Sequence, residues 1–246
     1  MKILVYDTET NDIDTENGFI QELAWAIYDS ETWRCLKAQS FLISWPTAYE
    51  VSPEAFAVTG LSREYCHANG AQPHAVFTQF LWDANSADAL CGHNAIAFDL
   101  PMLKTNVKRG MLFGLDDSQP YKNLPHIDTL LDVEYPKTQK IHALKYLALD
   151  HGYVMSNAHE ALADVFACAH ILSKYDINRV LEIAKTPIVK MTSKIDWNNQ
   201  DARDRIKQQR FYWNPTLKLW EKSIREFFVP GIQLQLGSDV ELLITR

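Results

Sequence analysis

The order of strand and helix patterns in this chain predicts an α/β domain followed by a small α+β module. Three observations carry that expectation. Three strand patterns lie close together near the start, joined by short turns. Helical and strand-like segments then interleave as far as residue 184. The pattern breaks at Thr186-Pro187, where the charge also changes sign. The 246 residues are enough for one medium domain, 1–185, and a small one, 186–246. With 47% apolar and 22% charged residues, the composition is that of a soluble globular protein.

The elements follow from local signals. Residues 4–6, 20–28 and 35–43 read as strands, with Asn17-Gly18 and Asp29-Ser30 as turn signals between them, so an antiparallel meander is expected. Residues 53–57, 62–67 and 73–82 read as helices, the last with Val76, Phe77 and Phe80 on one stripe. A short strand at Leu90-Cys91, a helix over 97–109, a strand-like piece at Ile127, and helices over 141–150 and 157–174 complete the first domain. Beyond the break, 201–209 reads as a helix and RFYWNPTLKLWEKSI as a hairpin around Asn214-Pro215.

Charge and cysteine usage narrow the function classes. The net charge of −7 divides into +4 over residues 185–246 and −11 over 1–184. A passive nucleic-acid binder spreads positive charge over its footprint. An acidic body with a mildly basic tail instead suits an enzyme whose bound cations supply local positive charge. Lys2 is followed by only four apolar residues, Ile3 to Tyr6, before Asp7, too few for a signal-peptide core. No stretch approaches the ~20 apolar residues of a membrane span. Cys35, Cys66, Cys91 and Cys168 show no metal-ligand spacing, so free thiols in a cytoplasmic protein with no membrane partner are expected.

Three motifs carry chemistry. In VYDTET, Asp7 and Glu9 sit two residues apart at the end of an apolar stretch. In a strand they project from one face, ~7 Å apart along the chain. Such a pair describes either a solvated strand end or a site for a hard divalent cation, which takes carboxylate oxygens. In ALCGHNAIAFDLPML, Asn94 reads as an N-cap and Asp99 falls early in a helix, just past the C-terminal end of a strand. Ligand-binding residues collect there in open sheets, although an acid at a helix start also answers the helix dipole. In SNAHEALADVFACAHIL, Asn157 and Glu160 have capping-box spacing, which puts His159 in the first helical turn. Leu162, Val165, Phe166, Ala169 and Leu172 form the expected buried stripe, with Asp164 at its flank.

Taken together, D-x-E on the first strand, GHN-x-x-x-x-D at a strand-to-helix junction and H-x-x-x-x-D in a late helix resemble the DEDDh (DnaQ-like) family of 3′→5′ exonucleases. That family includes polymerase proofreading subunits, ribonuclease T and exodeoxyribonuclease X. The resemblance covers roughly residues 2–175, with supporting echoes in SPEAFAVTGLS and HIDTLLD. The chain departs from the family at Thr59-Gly60-Leu61-Ser62, where His-Gly-Ile-Thr is frequent. The resemblance implies a ribonuclease H-like fold, a mixed five-stranded sheet flanked by helices.

It also implies two divalent cations, Mg²⁺ or Mn²⁺, held by Asp7, Glu9, Asp99 and Asp164, with His159 as the general base. Thr10 and Val58, then Asn94 and Phe98, are the residues it implies for binding the 3′-terminal nucleotide. Asp128 and Asp132 are expected to be structural. The implied partner is nucleic acid with a free 3′ end, single-stranded DNA favoured. Residues 186–246 are similar to the small C-terminal module of some exodeoxyribonuclease X-like proteins. There Arg210, Tyr212, Lys218 and Lys222 alternate with Phe211, Trp213 and Leu219, either as a single-strand contact or with the aromatics as the module's core. Two other functions use a similar carboxylate set: a ribonuclease H-type endonuclease and an exoribonuclease directed at oligoribonucleotides. A non-enzymatic adaptor would be expected to lack one of the acids.

Overall fold

The computed structural model describes residues 1–111, 124–136, 138–155 and 160–246, which divide into two compact units, Met1–Leu181 and Glu182–Arg246. The first unit is built on β1 (Lys2–Thr10), whose Ile3, Leu4, Val5 and Tyr6 are all within 1% of complete burial. A strand apolar on both faces belongs in the middle of a sheet. Accordingly, β2 (Ile20–Asp29) pairs antiparallel with β1, and β3 (Cys35–Leu42) pairs antiparallel with β2. This is the expected meander. After the short helices α1 (Pro53–Thr59) and α2 (Arg63–Asn69) and the longer α3 (Pro73–Asn85), β4 (Ala89–Gly92) returns parallel to β1. Helix α4 (Asp99–Gly110) leads to β5 (His126–Asp128), parallel to β4, so the sheet runs β3-β2-β1-β4-β5.

Strand alternation distributes β1 between two layers. Leu4 and Tyr6 join Leu23, Trp25, Phe77, Phe80, Met102 and Leu103 in the core beneath α3 and α4. Ile3, Val5, Asp7 and Glu9 therefore point to the other side, where α7 (Ala161–Leu172) packs against β1 and β2. The chain reaches α7 through α5 (Thr129–Asp132) and α6 (Leu144–Asp150), the latter beginning three residues later than expected.

Two local expectations are corrected. The helix read over 97–109 begins at Asp99 with Phe98 as N-cap, because residues before it form a turn with Asn94 in the left-handed region at φ 58°. Asn94 is therefore not the cap. Asp128 holds that turn, its carboxylate accepting from the backbone N–H of Asn94 at 2.8 Å, Ile96 at 3.1 Å and Leu130 at 2.9 Å. Asp132 in turn accepts from the Asp128 N–H at 2.8 Å, so both acids tie backbone together. In α7, Glu160 is the N-cap with extended φ −109° and ψ 119°, so it cannot be the third helical residue of a capping box. Asn157 and His159 lie outside the described residues. The buried stripe comprises Ala161, Val165, Ala167, Cys168, Ala169, Ile171 and Leu172, whereas Leu162 and Phe166 are half-buried. Small side chains on that stripe let the helix approach the sheet closely.

Gly92 closes β4 where the chain turns toward Asp99. A methyl group there would lie 2.5 Å from the Ala95 Cβ and 3.2 Å from the Tyr6 carbonyl oxygen. Overpacking of this kind costs about 1–3 kcal/mol. Gly92→Ala is expected to lower the first unit's melting temperature by about 2–4 °C per kcal/mol lost; an unchanged melting curve would show that the turn yields freely.

Helix α8 (Ile177–Ala184) precedes the second unit's sheet, which has the order β7-β8-β6-β9 and comprises β6 (Ile188–Ser193), β7 (Tyr212–Asn214), β8 (Leu219–Arg225) and β9 (Leu243–Thr245). Helices α9 (Gln200–Gln208) and α10 (Val229–Leu236) supply Ile206, Ile232 and Leu236 to its core. The β7-β8 hairpin forms where read, with Trp213 opposite Trp220 and Asn214 Oδ1 accepting from the Thr216 and Leu217 N–H groups at 3.0 Å. Phe211 and Trp220 are buried and Trp213 packs against them, so the aromatics serve the core. Lys222 is also drawn inward: its Nζ donates to the Gln209 carbonyl at 2.7 Å, and burial pushes its pKa down to about 8. Tyr212 and Lys218 remain exposed.

Candidate active site

The site forms at the C-terminal ends of the parallel strands, where β1, β4 and β5 all release their chains. On the α7 side of β1, Asp7, Glu9 and Asp164 bring one carboxylate oxygen each within 4.8 Å of one another. The i, i+2 spacing thus puts both acids of the first motif on one face, and α7 delivers the third. Asp99 reaches the site from the other layer. It stands at the start of α4, on the side that Thr8 faces, and its Oδ1 accepts from the Thr8 N–H at 3.1 Å and the Thr8 hydroxyl at 2.6 Å. Asp99 lines the same cleft of about 690 Å³ as the other three acids but is not one of the tight trio.

Burial and the charges of neighbouring acids act on Asp7, Glu9 and Asp99. The Asp7 carboxyl is held well above the usual carboxylate range, first by burial and then by the charges of Asp99, Asp164 and Glu9. Burial, with Asp164, Glu22 and Asp99 adding to it, pushes Glu9 up to about 8. Asp99 rises to about 7 through burial, against the lowering effect of the two Thr8 hydrogen bonds. A set of carboxylates that resists ionisation when alone is a donor set suited to a hard cation, whose charge removes both the repulsion and the burial penalty. The residues present fit divalent ions on that ground.

The remaining residues read from sequence divide between this cleft and its neighbour. Asn94 and Phe98 line the acidic cleft. Thr10, Val58 and Phe98 line an adjoining, more apolar pocket of about 450 Å³ that also touches Glu9. Val58 is half exposed there, and the Thr10 hydroxyl donates to the Asp12 carbonyl at 2.8 Å. His159 lies outside the described residues.

Sequence reasoning missed Thr8, His93 and His142. Thr8 sits between the two acids and was legible only as a strand residue facing the other layer. His93 places its Nδ1 2.9 Å from the Thr129 hydroxyl, and burial lowers its pKa to about 4, which keeps it neutral. His142 lies on the connection before α6, and no motif signals it.

Residues 4–172 match the RNase_T family, described as Exonuclease. Among solved structures, E. coli exonuclease I in complex with a dT13 oligonucleotide aligns at 17% identity and TM-score 0.61, over 79% of this chain and 48% of that one. The zinc-bound form of the E. coli exonuclease I–single-stranded DNA complex aligns at 14% identity and TM-score 0.64, over 100% of this chain and 65% of that one. This chain therefore spans about half to two thirds of the exonuclease I chain, and the likeness establishes a ribonuclease H-like fold. Among curated proteins none matches by sequence. Among the described residues no helix is long and apolar enough to cross a membrane. With a family match over more than half its length, the chain belongs to the RNase_T exonuclease family.

Proposed function

We propose that the protein is a metal-dependent 3′→5′ exonuclease that hydrolyses phosphodiester bonds from the 3′ end of nucleic acid, single-stranded DNA favoured, and releases nucleoside 5′-monophosphates. The observation that carries this reading is the gathering of Asp7, Glu9 and Asp164 within 4.8 Å in one cleft with Asp99. These four would hold two divalent cations, Mg²⁺ or Mn²⁺. When bound, the cations supply stabilisation of negative charge on the phosphoryl oxygens and favour ionisation of water. His159 takes the proton of the attacking water. Thr8 fixes the orientation of the Asp99 carboxylate at the cleft by two hydrogen bonds to its Oδ1. Thr10, Val58 and Phe98 receive the terminal nucleotide in the adjoining apolar pocket. The match of motifs to exodeoxyribonuclease X-like members belongs to this same reading. End-labelled single- and double-stranded DNA and RNA, compared with a circular strand in Mg²⁺ or Mn²⁺, test it. An exonuclease leaves the circle intact, and nicking of the circle would instead support an endonuclease.

Residues 186–246 are proposed as an accessory module that holds the nucleic acid, on the basis of the +4 charge over residues 185–246 against −11 over 1–184. Tyr212 and Lys218 are the suitable probes, because both are exposed whereas Trp220 and Phe211 are core. Tyr212→Ala and Lys218→Ala are expected to weaken binding of long single strands. The Lys218 variant should also flatten the salt dependence by a slope of about 0.7 if one phosphate contact is lost. An unchanged slope with unchanged affinity in both variants would assign the module another role.

A further inference from the structure

Two tryptophans of the second unit are committed to its core, and a third is not. Trp213 on β7 and Trp220 on β8 face each other across the hairpin with ring centroids 5.5 Å apart, and Trp220 is buried. Trp197 continues this series outward. It stands two residues before Asn199, the N-cap of α9, and its ring lies 5.8 Å from that of Trp213, yet Trp197 is 60% exposed. A ladder of three indoles thus runs from the core to the surface.

Cations lie against this ladder. Arg203 and Lys207 are four residues apart on α9 and so share a helix face. The Arg203 guanidinium sits 4.6 Å from the centroid of the Trp197 ring, and Lys207 Nζ lies 5.9 Å from that of Trp220. Residues 194–210 hold five Lys/Arg and three Asp, a net of +2. The three acids are engaged locally: Asp201 pairs with Arg205, Asp204 accepts from the Gln200 side chain at 2.8 Å, and Asp196 accepts from the Asn198 N–H at 3.0 Å. A large aromatic ring left mostly in water forgoes the burial that makes such side chains stabilising. Placed beside cations, it offers what a single strand requires, a π face for a base and positive charge for the flanking phosphates.

We propose that Trp197 is a stacking platform for a base of single-stranded nucleic acid, with Arg203 as the adjoining cation. The inference rests on the reading of residues 186–246 as a module that holds nucleic acid, and it assigns the contact to residues other than Tyr212 and Lys218. Stacking uses the face of a base and not its edge, so the contact is indifferent to sequence. A Trp197 that only braced Trp213 would be indifferent to nucleic acid altogether.

The experiment titrates the full chain with a circular oligothymidylate in Mg²⁺, following the anisotropy of a dye on the circle and the quenching of tryptophan fluorescence. A circle offers no 3′ end, so an exonuclease binds it without consuming it. The parent is compared with Trp197→Leu, Trp197→Phe and Arg203→Ala. Leu keeps apolar bulk without a ring, and should raise Kd about tenfold and remove part of the quenching. Phe keeps a ring and should lose less. Arg203→Ala should also weaken binding, and should flatten the salt dependence by a slope of about 0.7 for one lost phosphate contact. Melting curves establish that each variant is folded, and the Phe and Arg203→Ala variants preserve the test should Leu not fold. The proposal is overturned if the folded Leu variant keeps the parental Kd and quenching, if Phe and Leu weaken binding equally, or if Arg203→Ala changes neither Kd nor slope. Parental binding by Trp197→Leu together with weakened binding by Tyr212→Ala would defeat the platform and leave the module reading standing. A parent that does not bind the circle would defeat both. Nicking of the circle would count against the exonuclease reading of the catalytic unit, and the quenching on mixing would still report on Trp197.

Discussion

Replacing Asp7 by Asn is expected to abolish turnover and, in EDTA at pH 8, to raise the melting temperature of the catalytic unit above that of the parent. The argument is electrostatic. Asp7 is buried beside Glu9, Asp164 and Asp99, and its carboxyl is held well above the ordinary range. Glu9 is pushed up to about 8 and Asp99 to about 7, both first by burial. A carboxyl whose folded pKa is raised contributes stability that is fully present below its unfolded value, near ~4, and is lost as pH rises through the folded value. Without cations the parent should therefore lose stability between about pH 4 and pH 8 as these groups are forced to ionise together. Asn keeps the shape and removes one charge from the cluster. Each kcal/mol regained moves the transition by about 2–4 °C. Mn²⁺ should restore the parent more than the variant, because the variant has lost a ligand. Asp164→Asn should behave alike. Parental rates in either variant would defeat the metal-site assignment. A melting temperature in EDTA that falls rather than rises would mean that Asp7 supports the fold by hydrogen bonding rather than straining it by charge.

The second large effect is expected at His159. If its imidazole must be neutral to take the proton of water, the rate should climb with pH through the imidazole range, near ~6.5, and level off above it. His159→Ala should cost on the order of 10²–10⁴-fold in rate, the usual size of a general-base contribution, and the climb should disappear. Binding of Mn²⁺, followed by calorimetry, should persist. Weakened Mn²⁺ binding in this variant would make His159 a ligand, and a retained pH profile would place the titrating group elsewhere. Asp99 complicates the low-pH limb, since its own carboxyl lies near 7 in the absence of cations. Measuring the profile at saturating Mn²⁺ separates the two, because bound cations hold the carboxylates ionised throughout.

Local periodicity made part of this protein legible in its sequence. The strand pattern of VYDTET placed Asp7 and Glu9 on one face, the early turn signals gave the β1-β2-β3 meander, and the Asn214-Pro215 turn signal gave the β7-β8 hairpin. Each of these depends on residues close together in the chain, where backbone geometry alone decides which side chains share a face. Contacts between distant elements were decided by tertiary structure. The sheet order β3-β2-β1-β4-β5 brings Asp164 on α7 to Asp7 on β1, and seats Asp99 under Thr8 in the opposite layer. Asn94 looked like a cap by type, but the Asp128 carboxylate claims its N–H and draws the turn into a left-handed conformation. Glu160 had capping-box spacing, yet α7 starts only after it. The basic and aromatic residues of the hairpin allow either a single-strand contact or a packed core, and the packing of α9 and α10 draws Phe211, Trp220 and Lys222 inward. His142 reaches the acidic cleft only because the connection before α6 is folded against β5's end of the sheet, through His93 and Tyr135. A sequence pattern states which way a side chain points along its own element. Which element lies opposite depends on how the apolar faces of all of them are buried together.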